Sequence, residues 1–497
     1  MLPKSNGNGD LPELSEALPF MSRISAKGQL DSDAAQSPTF TFLWQLYSTV
    51  CQEKTSRFSH FFLSKIGQKD GLKYNTRVPG AAGGMLAGGM QNKNFRVLRS
   101  VFRGMMSILL WAIGTREAGL ETDVPATTCW VPFDLLEAFI VDVFKGVGVP
   151  DADARICAEV IIGADKRGID SHGVGRLKPI YYDRIVMGGV QQPVTRFEVV
   201  RDHKATAVVD GHHGMGMVIA RRCMHMAIEK ARAHGLGMVV ARNSTHFGYA
   251  AHYALMAVEA GMIGITGTNA RPSIAPTHGV ENMMGTNPLV FGIPTDEAFP
   301  FTNDYATSIV QRGKIEQYVR EQKPCPEGLV INWDGQTETD PQKILDDLIK
   351  GRSAFTPVGG LSEETGGHKG YGFATVVEIL SSALQQGAYL KQLCGADAHG
   401  RPVPHALGHF FMAIDIECFT DLASFKKTTG NILRGLRASQ KMPGAERIFT
   451  CGEKEYLTWR EREAKGVPVD PVIQKQLCAM RDELRLSYSF PFETAAR

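Results

Sequence analysis

The chain has 497 residues, which exceeds one typical domain and predicts two or three. Its hydrophobic share of 43% and charged share of 21% are ordinary for a globular protein, and a net charge of +2 is too small to indicate a nucleic-acid partner. The nine cysteines are odd in number and form no C-x-x-C pair, which argues against a disulfide framework or a structural zinc site. No apolar run reaches the roughly 20 residues of a membrane helix, so we expect a soluble, cytoplasmic protein without a membrane partner.

Residues 1–128 differ in composition from the rest of the chain, and we interpret them as an N-terminal extension. Residues 1–33 are rich in Gly, Ser, Pro and acidic residues and lack the charge and apolar pattern of a signal peptide. Residues 71–116 contain no acidic residue, and residues 95–103 alternate basic and apolar residues at helix-like spacing. The extension is therefore either largely disordered or a mitochondrial targeting sequence, the latter if translation starts at Met85 or Met90.

The chain from Trp130 onward has the alternating helices and strands of a folded α/β enzyme. Apolar periodicity predicts helices over 133–144, 150–166, 217–234, 250–260 and 370–386, and a mainly helical tail over 422–486. Short apolar or β-branched runs predict strands over 205–211, 237–242, 263–267, 289–292 and 410–415.

Residues 167–176, with the sequence RGIDSHGVGR, carry the most informative motif. His172 is suited to proton transfer near neutral pH, and Ser171 is an adjacent hydroxyl. Arg176 can bind a carboxylate through a planar fork of donors. The motif indicates a site that adds a proton to, or removes one from, a small acid.

Three further segments are candidates for nucleotide binding, although each is also explained by ordinary loop structure. Residues 243–248 (NSTHFG) follow a predicted strand and precede a helix, where free amides suit phosphate; the alternative is N-capping by Ser244 or Thr245 beside an uninvolved His246. Residues 303–308 (NDYATS) place a carboxylate, a phenol and two hydroxyls together, as in a binding site; the alternative is a helix N-cap formed by Asp304 or Thr307. Residues 366–372 (GGHKGYG) place Lys369 among glycines, as in a phosphate loop or a flexible helix entry, but lack the Walker spacing.

Two other patterns are weaker. Residues 211–216 (GHHGMG) lie between a strand and a helix, but the glycine spacing departs from G-x-G-x-x-G, so we expect a tight turn and not a Rossmann site. The pairs His405 with His409 and His212 with His213 are candidate metal ligands, yet Pro404 and Gly408 argue against a ligand-bearing helix at 405–409. We expect no metal site.

Taken together, these motifs resemble the type 2 malate/L-lactate dehydrogenase family over Trp130 to about Leu486. The matching segments occur in the family's order: 167–176, 210–211, 243–248, 285–288, 304–308, 334–335, 337–341, 366–372 and 408–411. The N-terminal extension is not covered by the resemblance.

The resemblance implies an oxidoreductase that transfers a hydride between NAD or NADP and a small 2-hydroxy or 2-oxo acid, malate-like or lactate-like. It implies an α/β fold with a non-Rossmann cofactor domain on a largely antiparallel sheet, at 206–421, and a helical substrate and dimer domain from both ends of the catalytic region, at 129–205 plus 422–497. It also implies a homodimer with sites close to the subunit interface.

Site residues follow from the same resemblance. His172 becomes the main proton-transfer group, Ser171 its hydrogen-bonded neighbour, and Arg176 the substrate-carboxylate clamp. His246 corresponds to a residue treated as the proton acceptor in some members and as a cofactor contact in others; we favour His172 because Ser171 and Arg176 supply its partners. The expected cofactor-binding residues are Ser244, Thr245, His246, Phe247, Gly248, Asp304, Tyr305, Ala306, His368, Lys369 and Gly370.

Several alternatives remain open at the level of the sequence. Arg271 could pair with a 2′-phosphate and favour NADP, or it could simply be solvated. Within the enzyme class, the second hypothesis is an NADPH-dependent reductase of cyclic imino acids. Outside it, the alternatives are a catalytically silent relative that acts as a binding protein, and a metal-dependent hydrolase that uses the scattered histidines.

Overall fold

The computed structural model of the protein describes residues 128–494, so the expectations for residues 1–127 lie outside the described residues. The strands are β1 (Cys129–Val131), β2 (Glu198–His203), β3 (Thr206–Asp210), β4 (Leu236–Ser244), β5 (Met262–Thr268), β6 (Leu289–Ile293), β7 (Phe301–Tyr305), β8 (Val330–Asn332), β9 (Ser353–Phe355), β10 (Leu407–Asp415) and β11 (Val467–Val469). The α-helices are α1 (Phe133–Gly146), α2 (Asp151–Lys166), α3 (Asp183–Val186), α4 (Gly216–His234), α5 (Ala251–Glu259), α6 (Arg312–Glu321), α7 (Pro341–Lys350), α8 (Gly367–Leu380), α9 (Leu422–Arg437), α10 (Glu453–Lys465), α11 (Pro471–Glu483) and α12 (Pro491–Thr494).

A seven-stranded sheet in the order β2-β3-β4-β10-β5-β6-β7 is the centre of the fold. Only β3 and β4 run parallel, whereas every other neighbouring pair is antiparallel. The prediction of an α/β fold on a largely antiparallel sheet is therefore confirmed. The predicted turn at 211–216 is also confirmed, since it links β3 directly to α4.

Helices α4 and α5 pack on one face of this sheet and bury its main core. Two glycines permit the close approach: a Cβ on Gly237 of β4 would lie 2.0 Å from the Ala227 oxygen of α4. A Cβ on Gly264 of β5 would lie 2.3 Å from the Ala254 oxygen of α5. Any larger residue at either position would force helix and strand apart. Gly237 therefore fixes the distance between α4 and the sheet, and Gly264 fixes the distance between α5 and the sheet.

The two ends of the described chain meet in a second group of helices. β1 pairs with β11 in a two-stranded antiparallel sheet, and the Tyr182 hydroxyl donates to the Glu483 carboxylate across 2.6 Å. After α2, a non-helical turn at 167–173 leads to a 3-10 turn (Val174–Arg176) and a π-helical segment (Leu177–Tyr182), which runs into α3. The motif at residues 167–176 thus lies in the connection between α2 and this segment.

The predicted mainly helical tail over 422–486 is confirmed, and it consists of three separate helices, α9, α10 and α11, with β11 between the last two. Gly452 and Gly466 flank α10 with φ values of 88° and 94°, conformations that end a helix. The predicted helix over 370–386 is shorter and begins earlier, as α8. Among residues 128–494, no helix combines the length and apolar character needed to cross a membrane.

Candidate active site

A cavity of about 940 Å³ lies beside the connection that follows α2. The loop between β4 and α5, the end of β7 and the start of α10 form other parts of its wall. Its volume is at the upper end of the range for small-molecule and cofactor sites. Three of the predicted substrate-site residues, Ser171, His172 and Arg176, line it together with His246.

The turn that carries His172 is held in place by the buried carboxyl group of Asp165 in α2. The Val174 amide donates to Asp165 Oδ2 across 2.8 Å, and a Cβ on Gly173 would lie 1.7 Å from Asp165 Oδ1. Only glycine therefore fits at position 173. Burial, reinforced by the nearby Asp170 carboxylate, raises the pKa of Asp165 well above its ordinary value.

Arg462 of α10 fixes the same turn from the other side. Its guanidinium, 3% exposed, donates to both carboxylate oxygens of Asp170 at 2.5 and 2.8 Å and to the Asp165 carbonyl oxygen at 2.6 Å. Such a bidentate pair has defined geometry as well as strength. The position of His172 consequently depends on a residue almost 300 positions along the chain.

His172 has a polar partner on one side and a cation nearby. Its Nδ1 lies 2.9 Å from the Ser171 hydroxyl, and Arg176 Nε donates to the Ser171 carbonyl oxygen across 2.5 Å. Burial, with a smaller contribution from the positive Arg176, lowers the pKa of His172 to about 4. In the free protein at neutral pH, His172 is thus an uncharged imidazole and can accept a proton.

His246 lies next to His172 in the cavity wall. The two rings stack with their centroids 5.6 Å apart and their planes 19° apart. The Tyr181 hydroxyl lies 2.7 Å from His246 Nδ1. Burial, followed by the positive charges of neighbouring groups, lowers the pKa of His246 well below its ordinary value. The structure therefore brings both predicted histidines into one site.

Ser244 and Thr245 do not line the cavity, although they precede His246. The Ser244 hydroxyl bonds to Nε2 of the fully buried His409, and Thr245 Oγ1 donates to the Gly214 carbonyl while accepting from the Gly216 amide. Both side chains are satisfied inside the protein, where they hold the loop in place. Phe247 and Gly248, in contrast, line the cavity.

Asp304 and Ala306 also line the cavity, while Tyr305 between them packs against the opposite face of the sheet. Asp304 Oδ2 accepts the Ala251 amide at the start of α5 across 3.0 Å. Solvent in the cavity reaches this carboxyl group, but the surrounding protein desolvates it and raises its pKa to about 6. Asp304 is thus only partly protonated near neutral pH.

His368, Lys369 and Gly370 lie outside this cavity. His368 and Lys369 are exposed at the start of α8, and Gly370 packs against the Val358 backbone, where a Cβ would lie 2.1 Å from the Val358 oxygen. These three residues are therefore not part of the wall of the cavity that holds His172, and their contact with a cofactor stays a prediction.

Neither histidine pair forms a metal site within residues 128–494, where no cluster of three or more His, Cys, Asp or Glu side chains has suitable geometry. His409 bonds to Thr268 and Ser244, and His405 Nδ1 bonds to the Leu393 carbonyl. His212 bonds to the Glu198 carboxylate instead. These histidines have structural partners.

Sequence reasoning missed Tyr181, Asp165 and the segment 449–459, which lines the far wall with Phe449, Tyr456 and Trp459. Tyr181 carries no motif, although its apolar surroundings at 177–182 were a sign of burial. The aromatic cluster and Arg462 lie in the charged tail, where only the unusual density of aromatics at 449–459 could have drawn attention.

Comparison with known proteins gives one consistent result. A family model described as malate/L-lactate dehydrogenase matches residues 131–478. The malate dehydrogenase of Pyrococcus horikoshii is 43% identical over 347 residues, which are 70% of this chain and 93% of that protein. The L-sulfolactate dehydrogenase of Methanocaldococcus jannaschii is 36% identical over 351 residues, 70% of this chain and 95% of its own length. The crystal structure of malate dehydrogenase from Entamoeba histolytica superposes with a TM-score of 0.71 at 42% identity, covering 73% of this chain and all of that one.

Proposed function

Because the chain belongs to the malate/L-lactate dehydrogenase family, we propose that it is an oxidoreductase that transfers a hydride between NAD or NADP and a small 2-hydroxy or 2-oxo acid. The observation that carries the proposal is the cavity in which His172, Arg176 and His246 meet. A proton-transfer group beside a carboxylate-binding group is what this chemistry requires. The relatives named for malate and sulfolactate define the class of acid to be tested.

The residues present fit a nicotinamide dinucleotide. The cavity is large enough for such a group. Arg271, Arg312 and Lys454 also line the cavity and supply positive charge for phosphates. We assign Phe247, Gly248, Asp304 and Ala306 to the cofactor site. When bound, the nicotinamide supplies or accepts the hydride at C2 of the acid.

Arg176 binds the carboxylate of the acid. Its Nε is committed to the Ser171 carbonyl, which leaves both terminal nitrogens for a bidentate contact and fixes the plane of the guanidinium. This contact orients C2 in the cavity. Pairing with the carboxylate also offsets the positive charge that helps lower the pKa of His172, so binding of the acid raises that pKa.

His172 moves the proton. In the oxidation, its neutral imidazole accepts the proton of the C2 hydroxyl; in the reduction, the imidazolium returns a proton to the developing alkoxide. Ser171 holds the ring through Nδ1, so that Nε2 is left for the substrate. Ordering of this kind gives the general acid and base a fixed geometry.

Arg271 is the residue that we expect to decide between NAD and NADP. It is exposed on the cavity wall, and its positive charge helps to lower the pKa of two neighbouring basic groups, Arg184 and His405. A guanidinium in such surroundings favours an anion such as a 2′-phosphate. If Arg271 binds this group, Arg271→Ala raises the KM for NADPH and leaves the KM for NADH nearly unchanged.

We also propose a homodimer and the two-domain division, with 129–205 plus 422–494 as the helical domain and 206–421 as the cofactor domain. Support for the dimer comes from α8, whose outer side exposes Phe373, Val376 and Ile379 by about half. Such an apolar stripe is typical of an interface. Sedimentation velocity would show a dimer for the wild type and a monomer for Val376→Asp.

The function is tested by a substrate panel. Oxaloacetate, pyruvate, 3-sulfopyruvate and a cyclic imino acid are each assayed with NADH and NADPH, following the absorbance of the reduced nicotinamide. Turnover of a 2-oxo acid supports the proposal, and turnover of the cyclic imine alone would assign the reductase function instead. No turnover of any compound by folded protein would contradict both. A parallel assay with a chelator separates these outcomes from a metal-dependent hydrolase.

A further inference from the structure

Hydrogen bonding at His246 restricts this ring to one tautomer. On its protein side, Nδ1 accepts from the Gly248 backbone amide across 3.3 Å and lies 2.7 Å from the Tyr181 hydroxyl. A backbone N–H can only donate, so Nδ1 must present a lone pair to it. In a neutral imidazole with an unprotonated Nδ1, the proton is on Nε2.

Tyr181 reinforces this arrangement. The residue is fully buried in the π-helical segment, and burial raises the pKa of its phenol far above its ordinary value, so the hydroxyl keeps its proton. A protonated hydroxyl beside an accepting Nδ1 acts as a donor. Two donors thus converge on the same ring nitrogen, and a proton on Nδ1 would leave the Gly248 amide without this acceptor.

His246 also stays uncharged at neutral pH. The groups facing it from the surrounding elements are His172, Arg184, Arg176 and His409, and all of them disfavour a positive charge on the ring. No carboxylate faces His246 among them. Because the protein groups lie at Nδ1, the Nε2–H is the donor that His246 has available for a ligand in the cavity.

His172 differs in this respect. Its Nδ1 bonds to a hydroxyl group, and a hydroxyl can either donate or accept. When His172 Nδ1–H donates to the Ser171 oxygen, Nε2 carries the lone pair that a base needs. No backbone amide occupies Nδ1 of His172, so this ring can gain and lose a proton without breaking its contacts.

We propose that Tyr181 is a positioning residue that, with the Gly248 amide, holds His246 as the neutral Nε2–H tautomer. His246 then donates a hydrogen bond to the oxygen on C2 of the acid, while His172 alone moves the proton. In the oxidation, the hydrogen on C2 would leave with both bonding electrons as a hydride that the nicotinamide accepts, and the hydroxyl proton goes to His172 Nε2. The proton on His246 Nε2 is not transferred. This assignment of roles rests on the proposed function, whereas the tautomer does not.

The tautomer is measured directly by long-range ¹H–¹⁵N NMR of the full-length protein labelled at the histidine ring nitrogens, without cofactor or substrate. The His246 signals are identified by their loss in His246→Gln. A pyridine-like Nδ1 and a pyrrole-like Nε2 are expected. A pyrrole-like Nδ1 would overturn the proposal whether or not the protein proves to be a 2-hydroxy acid dehydrogenase.

Tyr181→Phe removes one of the two donors with little change in shape. We expect part of His246 to shift to the Nδ1–H tautomer and kcat to fall by about 2- to 10-fold, the effect of one hydrogen bond, with KM nearly constant. Tyr182→Phe is the matched control, because it removes a neighbouring tyrosine hydroxyl that bonds to Glu483 and not to His246. Equal NMR and kinetic effects of the two variants would overturn the positioning role.

A third comparison separates donor from base. His246→Gln keeps a neutral N–H donor near the same position, so we expect it to retain activity within about 100-fold and to keep the pH dependence of the wild type. His172→Gln is expected to lose the acidic limb of that pH profile. Loss of the limb in His246→Gln, with its retention in His172→Gln, would assign proton transfer to His246 and overturn the proposal.

Discussion

At the scale of single residues, the site depends on the environment that each side chain is given. His172 and Arg176 line the same cavity, where burial keeps the imidazole of His172 neutral and the guanidinium of Arg176 carries a positive charge. An anionic substrate can pair with that guanidinium. The same two residues therefore provide both the recognition of an acid and the proton transfer that we propose.

Arg176→Lys tests the recognition part. Lysine keeps the charge but cannot form two parallel hydrogen bonds with a carboxylate, so we expect KM for the acid to rise by about 10- to 100-fold with a smaller change in kcat. Steady-state kinetics against the best substrate measures both constants. Arg155→Lys, on the exposed side of α2, is the control and should behave as wild type. An unchanged KM in Arg176→Lys would argue against the clamp.

At the scale of elements, the turn between α2 and the π-helical segment is held by groups on both sides. Asp165 is one residue from the end of α2, and Arg462 is near the end of α10. Their hydrogen bonds link the two ends of the described chain at the point where His172 needs a fixed position. The helices thus act as the support of the site.

Arg462→Met removes this support while keeping most of the side-chain volume. We expect the free energy of unfolding to fall by about 1.5–3 kcal/mol, because bonds to a charged group and to a buried carbonyl are lost. We also expect kcat to fall, because the turn with His172 is released. Chemical denaturation and kinetics measure the two effects.

Arg460→Met in the same helix is the control for this prediction. Arg460 pairs with Glu463 on the exposed surface, and such pairs contribute little. We expect a change below about 0.5 kcal/mol and normal turnover. A similar loss in both variants would show that helix α10, and not the contact with the turn, is what Arg462 supports.

The elements that the sequence predicted share one property, namely a strong local pattern. Strands β4 and β10, helices α2 and α4, and the motif at 167–176 all came from neighbouring residues. Arg462 and Tyr181 could not be found in this way, since Arg462 contacts Asp165 across 297 positions and Tyr181 contacts His246 across 65. Contacts between residues so far apart in the sequence are set by the packing of the sheet and helices, which local residue patterns do not show.

The tail is a different case, because its breaks were visible in the sequence. Gly452, Gly466 and Pro468 are residues that interrupt helices, and they mark where the predicted helical tail divides into separate helices. The placement of Ser244 inside the protein was not visible, because its partner His409 is 165 positions away. A hydroxyl at the end of a strand is equally suited to a ligand or to the core.

At the scale of the whole molecule, several histidines are buried in their neutral form. Burial lowers the pKa of His172 and His252 to about 4 and that of His409 to about 3, from an ordinary value of 6.5. Below pH 6.5 the unfolded chain gains protons at these positions while the folded protein does not. Acidification therefore favours the unfolded chain until the pKa values of the folded protein are reached.

We expect the contribution of these histidines to the free energy of unfolding to fall as the pH decreases from 6.5 to 5, by up to about 1.4 kcal/mol per pH unit for each, while the raised pKa values of Asp165 and Asp304 act in the opposite direction. Urea denaturation between pH 7.5 and 5 measures this slope. His409→Gln should make the slope shallower, since one buried histidine is removed. His399→Gln, at an exposed position, should leave it unchanged. A slope that is the same in His409→Gln as in the wild type would contradict the expected role of burial.

The most direct test of the proposed mechanism is the turnover number of His172→Ala with the best acid of the substrate panel. Loss of the only proton-transfer group is expected to lower kcat by about 100- to 10,000-fold, while cofactor binding, measured by fluorescence of the reduced nicotinamide, remains normal. Turnover near the wild-type value in this variant would contradict the assignment of proton transfer to His172.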